Sequence, residues 1–164
     1  MVLLLVTVLM YSIVQTLNIK NEAIENQHYF PNLRGIDLDN SLTSTHELEK
    51  NTSYNVLIRF NTDCYLCEFQ LNDLIQLKRY FHNTNTNIFL ISTEPLHQLR
   101  AYNNLKKIHE LPNLHVLRVD ENSGLRFFGG NGVPHTLIYG PSDTLIYEYK
   151  GLVDVEIMLG YLEI

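Results

Sequence analysis

The feature that most restricts the fold of this chain is Phe60-Asn61-Thr62-Asp63-Cys64-Tyr65-Leu66-Cys67, which holds both of its cysteines. The apolar run Val56 to Phe60 reads as a strand, and the amphipathic run from Cys64 to about His82 reads as the helix after it, with Cys67, Leu71, Leu74 and Phe81 as its core stripe. A cysteine at such a strand-to-helix junction faces unpaired backbone N–H groups and the positive end of the helix dipole. Both favour an anion, and a thiolate is one. Asp63 reads as the N-cap, which puts Cys64 at the first helical position, partly exposed and poised to ionise; the Asp63 carboxylate works against that ionisation. Cys67 lies on the adjacent helical face, within reach of a disulfide and on the more buried side. Cys64 is then the attacking thiol and Cys67 the resolving one.

Two cysteines are too few for a disulfide-rich scaffold and the right number for one redox pair. A net charge of −6, with no cluster or stripe of Lys and Arg, argues against nucleic acid as a partner. The length of 164 residues and 45% apolar content suit one domain with a leader.

Met1 to Val14 carries no charged side chain, and its only polar interruptions are Thr7 and Ser12. Residues 1–19 therefore read as a signal anchor or signal peptide; the lack of a small-x-small site after the run favours an uncleaved membrane anchor, and the lack of a basic segment before it counts against one. The alternative is a buried first helix or strand. Residues 20–32, rich in Asn, Glu, Gln and His, read as a tether in which no core begins, and residues 33–164 as the folded domain.

Within that domain, Leu33, Ile36 and Leu38 predict a short edge strand, followed by a loop over Asn40 to Thr45, a brief helix over His46 to Lys50 and a loop at Asn51-Thr52-Ser53. Asn87 to Ser92 predicts a strand buried on both faces. Thr93-Glu94-Pro95 reads as a cap with proline in the first turn of a helix that turns Leu96, Leu99, Tyr102, Leu105 and Ile108 to one side. Leu114 to Val119 supplies a third strand, Asn122 to Phe128 a short helix, and Gly129 to Gly132 a loop. Val133-Pro134 then opens a hairpin of His135 to Tyr139 and Thr144 to Tyr149, and Leu152 to Leu162 forms the last helix. The order is that of an α/β domain with a mixed sheet flanked by helices.

A strand, Cys64-x-x-Cys67, a helix, and far downstream Gly132-Val133-Pro134 opening a hairpin before the last helix together resemble the thioredoxin fold. With the N-terminal apolar segment, the chain is similar to the membrane-tethered, extracytoplasmic redoxins of bacteria, over roughly Leu33 to Leu162. The resemblance implies a thiol-disulfide oxidoreductase that needs no cofactor and faces the periplasm or cell exterior. Its partners would be a cysteine-containing client protein and an electron-donating membrane redox partner. It implies a cis Pro134 beside the disulfide, a Val133 backbone that pairs with an extended substrate, and substrate contacts from Tyr65 and Leu66.

The chain departs from thioredoxins in several places. Asp63 stands in place of Trp, Tyr65-Leu66 in place of Gly-Pro, Ile58 in place of a buried acid and Asn72 in place of a helix proline. Gln70 stands where some tethered redoxins carry an acid, so Glu68 or a water is left to take the resolving thiol's proton. Two other readings stay open: a metal (copper) carrier using Cys64, Cys67 and His135, and a redox-inactive client-binding module. Phe127-Phe128 and the alternating Tyr147 and Tyr149 read as packing residues.

Overall fold

The computed structural model describes residues 1–49, 54–81, 85–111, 113–130 and 132–162. The expected loop at Asn51-Thr52-Ser53 lies outside them, as do His82, Pro112 and Asn131.

Three strands form the centre: β3 (Tyr54–Arg59), β4 (Thr86–Ser92) and β5 (Leu114–Arg118), with β4 parallel to both neighbours. Every residue of β4 is buried, which explains its unbroken apolar run. Beyond β3 lie β6 (His135–Tyr139) and β7 (Leu145–Lys150), each antiparallel to its neighbour, so the expected hairpin is present. Beyond β5 lie β1 (Arg34–Asp37) and β2 (Leu42–Ser44), giving the order β2-β1-β5-β4-β3-β6-β7. The predicted edge strand is therefore one place in from the edge, and the predicted loop supplies the edge strand β2. A three-residue strand that alternates little is below what hydrophobic periodicity detects.

Strand alternation splits the core in two. On one face, Val56, Ile58, Leu90 and Ile138 pack with Cys67, Leu71 and Leu74 of α3 (Tyr65–Gln76), Leu99 of α5 (Leu96–Lys106) and Met158 of α7 (Val155–Tyr161). On the other, Leu57, Phe89, Leu137 and Tyr139 pack with Phe127 and Phe128 of α6 (Glu121–Phe128) and with Phe30 and Leu33. The long helix expected from Cys64 onward breaks at Leu77, but the short α4 (Lys78–Phe81) keeps Phe81 in the core. Leu105, placed on the inner side of α5 from sequence, is exposed, because steps of three residues fall about 60° behind each helical turn. Ile108 is nonetheless buried, since Lys107 turns left-handed (φ 53°) and redirects the chain.

The N-terminal segment is one unbroken helix, α1 (Val2–Asn26). Leu3–Asn26 is long and apolar enough to cross a membrane, with a mean hydropathy of 1.6, and its apolar side chains from Leu3 to Leu17 are exposed. The expected tether corresponds to packed structure. Ala23 is buried, the buried Gln27 donates its Nε2–H to the Phe127 carbonyl at 2.8 Å, and Phe30 places its ring 5.5 Å from Tyr139 and 5.6 Å from Phe89. The main chain is stitched down as well: the Phe30 N–H donates to the Asp143 carbonyl and the Leu145 N–H to the His28 carbonyl. Core thus begins ten residues before Leu33, at Ala23, in a stretch whose average polarity hides three inward positions.

Candidate active site: a disulfide at the end of strand β3

Phe60 ends the central strand by donating its N–H to the Ile91 carbonyl at 3.0 Å, and the chain then turns through Asn61 to Cys64. Cys64 is itself the N-cap of α3, and its Sγ accepts the Cys67 N–H at 3.1 Å. This corrects the expected cap: Asp63 lies one residue outside the helix, exposed, because the cysteine sulfur takes the acceptor role that a cap side chain normally fills. Cys64 and Cys67 are joined as a disulfide, with Cα atoms 5.2 Å apart. Cys67 is buried in the core and Cys64 is half-exposed. Val133 packs against the same cluster of side chains as both cysteines. The Val133–Pro134 peptide bond is cis, as the resemblance implied, and buried Pro134 accepts the Gly151 N–H at 2.8 Å.

Tyr65 and Leu66 stand 69% and 43% exposed beside the disulfide. Phe69, one turn on, is 42% exposed and meets Tyr65 edge to face at 4.5 Å between ring centres. Sequence reasoning missed Phe69, although an aromatic pair four residues apart on a helix was the available signal.

Three polar residues lie on the cysteine helix or hold the turn that leads into it. Glu94 turns back to the cysteine loop, accepting the Thr62 N–H at 2.7 Å and the Thr62 hydroxyl at 3.0 Å. The sequence places Glu94 only in a helix cap; Pro95 holds the N-cap position of α5, without a side-chain hydrogen bond, and not a place in its first turn. Glu68 is ion-paired with Lys106 of α5. Burial, followed by the charges of Glu68 and Glu94, pushes the Tyr102 phenol up to about 12, so both carboxylates act on the α5 flank of the site. Gln70 is fully buried one turn beyond Cys67. Its Nε2 donates to the Thr136 hydroxyl at 2.8 Å, and its Oε1 has no hydrogen-bond partner among the described residues.

No protein-family model and no curated protein matches this chain. Solved structures do. The thioredoxin domain of a thiol-disulfide oxidoreductase from Bacteroides vulgatus is similar with a TM-score of 0.67 at 15% identity, over 84% of this chain and 97% of that one. A thiol:disulfide interchange protein from a Bacteroides species gives 0.67 at 15% identity, over 84% and 90%. A thiol:disulfide interchange protein of the thioredoxin family from Chlorobium tepidum TLS gives 0.65 at 16%, over 83% and 96%. The chain has the thioredoxin fold.

Within this thioredoxin fold the metal reading loses its third ligand. His135 and Thr136 point to opposite faces of β6: Thr136 meets Gln70 of α3, whereas His135 packs its ring 5.4 Å from Phe128 on the α6 side. His135 is buried, and its Nε2 sits 2.9 Å from the Glu148 carboxylate. Burial pushes its imidazole down to about 4 against the pull of Glu148. Among the described residues, no three His, Cys, Asp or Glu side chains converge on a point where a metal could sit. Phe127 and Phe128 are buried on that same far face, as packing residues. Arg59 ends β3 there, with its guanidinium bonded to the Gly130 carbonyl and lying 5.3 Å from the Phe128 ring centre. Burial lowers the Arg59 pKa.

Proposed function

We propose that this protein is a membrane-anchored thiol-disulfide oxidoreductase acting on cysteine-containing proteins on the extracytoplasmic side of a membrane. The observation that carries the reading is the asymmetric disulfide. One sulfur is half-exposed at a helix N-terminus and bonded to a backbone N–H, and the other is buried behind it. In the reduced protein the same N–H and the α3 dipole favour a Cys64 thiolate.

That thiolate attacks one sulfur of a client disulfide, breaking the client S–S bond and forming a mixed disulfide. The released client thiolate takes a proton from solvent. Cys67 loses its proton and attacks Cys64 Sγ, which expels the second client sulfur and restores the Cys64–Cys67 disulfide. The client gains two electrons and two protons. Val133 offers its backbone to an extended client segment, and Tyr65 and Leu66 flank it with apolar surface. Glu68, the residue after Cys67 and paired with Lys106, is the base that takes the Cys67 proton, directly or through a water, whereas the orphaned amide oxygen of Gln70 is not basic and only accepts a hydrogen bond from the thiol. Helical side chains lean toward the N-terminus, so Gln70 leans toward Cys67. A membrane protein that donates electrons would regenerate the dithiol, and α1 would hold the domain at the bilayer.

The test is an equilibrium redox titration of the Cys64/Cys67 pair against glutathione and dithiothreitol buffers, paired with an insulin-reduction assay. A reversible two-electron transition, with insulin reduction lost in Cys64→Ser, is expected. A pair that forms no disulfide at any poise would sink the reading, and a disulfide that forms without any turnover would leave a client-binding module.

A further inference from the structure

A crevice opens at the carboxyl ends of the three parallel strands, on the side of the sheet away from α3. The chain leaves β4 for α5 on the face that holds Cys67, and leaves β5 for α6 on the opposite face. Where the connections of neighbouring parallel strands part in this way, a gap is left at their carboxyl ends, and open α/β sheets place ligands there. Here the gap has a volume of about 340 Å³. It is lined by Arg59 at the end of β3, Asn61 in the turn to Cys64, Thr93 just after β4, and Glu121, Asn122 and Leu125 of α6. Gly124 lets α6 close up on Thr93, since an added Cβ would lie 3.0 Å from the Thr93 methyl.

The lining carries one charge of each sign. Arg59 is the inner one, 5% exposed and enclosed by the Phe128 ring and the Gly130 carbonyl, so its guanidinium has lost most of its water. A cation so placed gains most from an anion that offers two oxygens to its planar fork, as a carboxylate does. Glu121 is the outer charge, an exposed carboxylate in the first turn of α6. The two carboxylates next to the crevice in sequence are engaged elsewhere. Glu94 accepts both hydrogen bonds from Thr62, and Asp120 accepts the Ser123 N–H at 3.0 Å. The amides of Asn61 and Asn122 and the Thr93 hydroxyl add donors and acceptors, which leaves Leu125 as the apolar part of the wall. So polar a lining, at the small end of ligand-site volumes, suits a small charged molecule and not an apolar one.

We propose that this crevice binds a small zwitterion, an amino acid or dipeptide, with its carboxylate on the Arg59 guanidinium and its ammonium group at Glu121. The site is independent of the disulfide chemistry: Cys64 and Cys67 pack with α3 on one face of the sheet, and Arg59 lies against Phe128 on the other. The two charges have different tasks. Arg59 holds the carboxylate where water competes little, and supplies most of the affinity. Glu121, in contact with solvent, contributes less, but it attracts a zwitterion's ammonium group and repels a simple anion. A simple cation is repelled by the guanidinium.

The test is isothermal titration calorimetry of the full chain in detergent, with glycine, glycylglycine, acetate and ethylammonium as probes. At least one of the two zwitterions should bind saturably at a single site, acetate several-fold more weakly, and ethylammonium not at all. Glu121→Gln changes an exposed side chain and leaves the core intact. It should weaken the bound zwitterion several-fold and strengthen acetate, because it removes an attraction from the one and a repulsion from the other. Arg59→Lys keeps the charge but loses the fork, and should weaken zwitterion and acetate alike by about tenfold. Should that buried variant fail to fold, the opposite responses to Glu121→Gln decide the matter alone. Acetate binding as tightly as the zwitterions, with no response to Glu121→Gln, reduces the crevice to a plain anion site and overturns the proposal. Zwitterion binding that ignores both substitutions, or no binding of either zwitterion, overturns it as well.

Discussion

Glu94 shows how a residue outside the C-x-x-C motif sets its geometry. Its carboxylate accepts two hydrogen bonds from Thr62, two residues before Cys64, and so pins the turn between β3 and α3. Hydrogen bonds to a charged acceptor contribute more than neutral ones, so Glu94→Ala should cost about 1–3 kcal/mol and Glu94→Gln less, read from urea unfolding midpoints. An unchanged midpoint in Glu94→Ala would show that the turn holds itself. His135 makes a second, pH-dependent contribution. Its imidazole ionises near 4 in the folded state, against about 6.5 in an unfolded chain, so between those values the unfolded state binds the extra proton. Stability from this group is thus fully present above pH 6.5 and is lost as pH falls toward 4, by about 3 kcal/mol. Glu148, Lys150 and Arg59 are the charged groups acting on it. In His135→Gln the urea midpoint should become markedly less sensitive to pH across that window; an unaltered pH slope would assign the titration elsewhere. Neither residue's role was legible in the sequence. Glu94 makes its contact across 32 positions of chain, and the direction His135 faces depends on strand register rather than on its place after Pro134.

At the level of elements, the strands and helices that carry the dithiol were readable because local pattern and burial agree there: the run Val56 to Phe60, the stripe Cys67, Leu71, Leu74, and the turn residues between β6 and β7. The hairpin of β1 and β2 was only half readable, since the pairing of Ile36 with Arg118 rather than its own composition puts β1 inside the sheet. The contact between α1 and α6 was hidden for a related reason: it depends on small residues. Gly129 caps α6 in the left-handed region at φ 69°, and its missing Cβ makes room for Ala23. Gly129→Ala should therefore destabilise the fold by about 2 kcal/mol, from left-handed strain of about 1–2 kcal/mol and the close approach to Ala23. Adding Ala23→Gly should relieve the crowding but not the backbone strain. A double-mutant cycle by chemical denaturation separates the two, and strict additivity would mean that the helices do not meet at this point.

For the whole molecule the question is where the folded unit starts, because that decides whether the dithiol swings on a leash or is carried by a fixed arm. Composition alone sets the boundary near Leu33, but the buried set includes Ala23, Gln27 and Phe30, and the main-chain bonds of His28 and Phe30 close the end of the β6–β7 hairpin. Two truncations discriminate. Removing residues 1–19 takes away exposed apolar surface and no core contact, so the Tm should stay within a few degrees of the full chain in detergent. Removing residues 1–30 uncovers Phe89, Tyr139 and Phe127, and losing the Phe30 side chain alone is worth about 3–5 kcal/mol by comparison with buried aromatic truncations. Set against a total stability of about 5–15 kcal/mol, that loss should lower the Tm by ten degrees or more and slow refolding of the hairpin face. Equal melting of the two truncated chains would return residues 20–30 to the role of a tether. A large difference makes the end of α1 part of the folded domain that carries the disulfide.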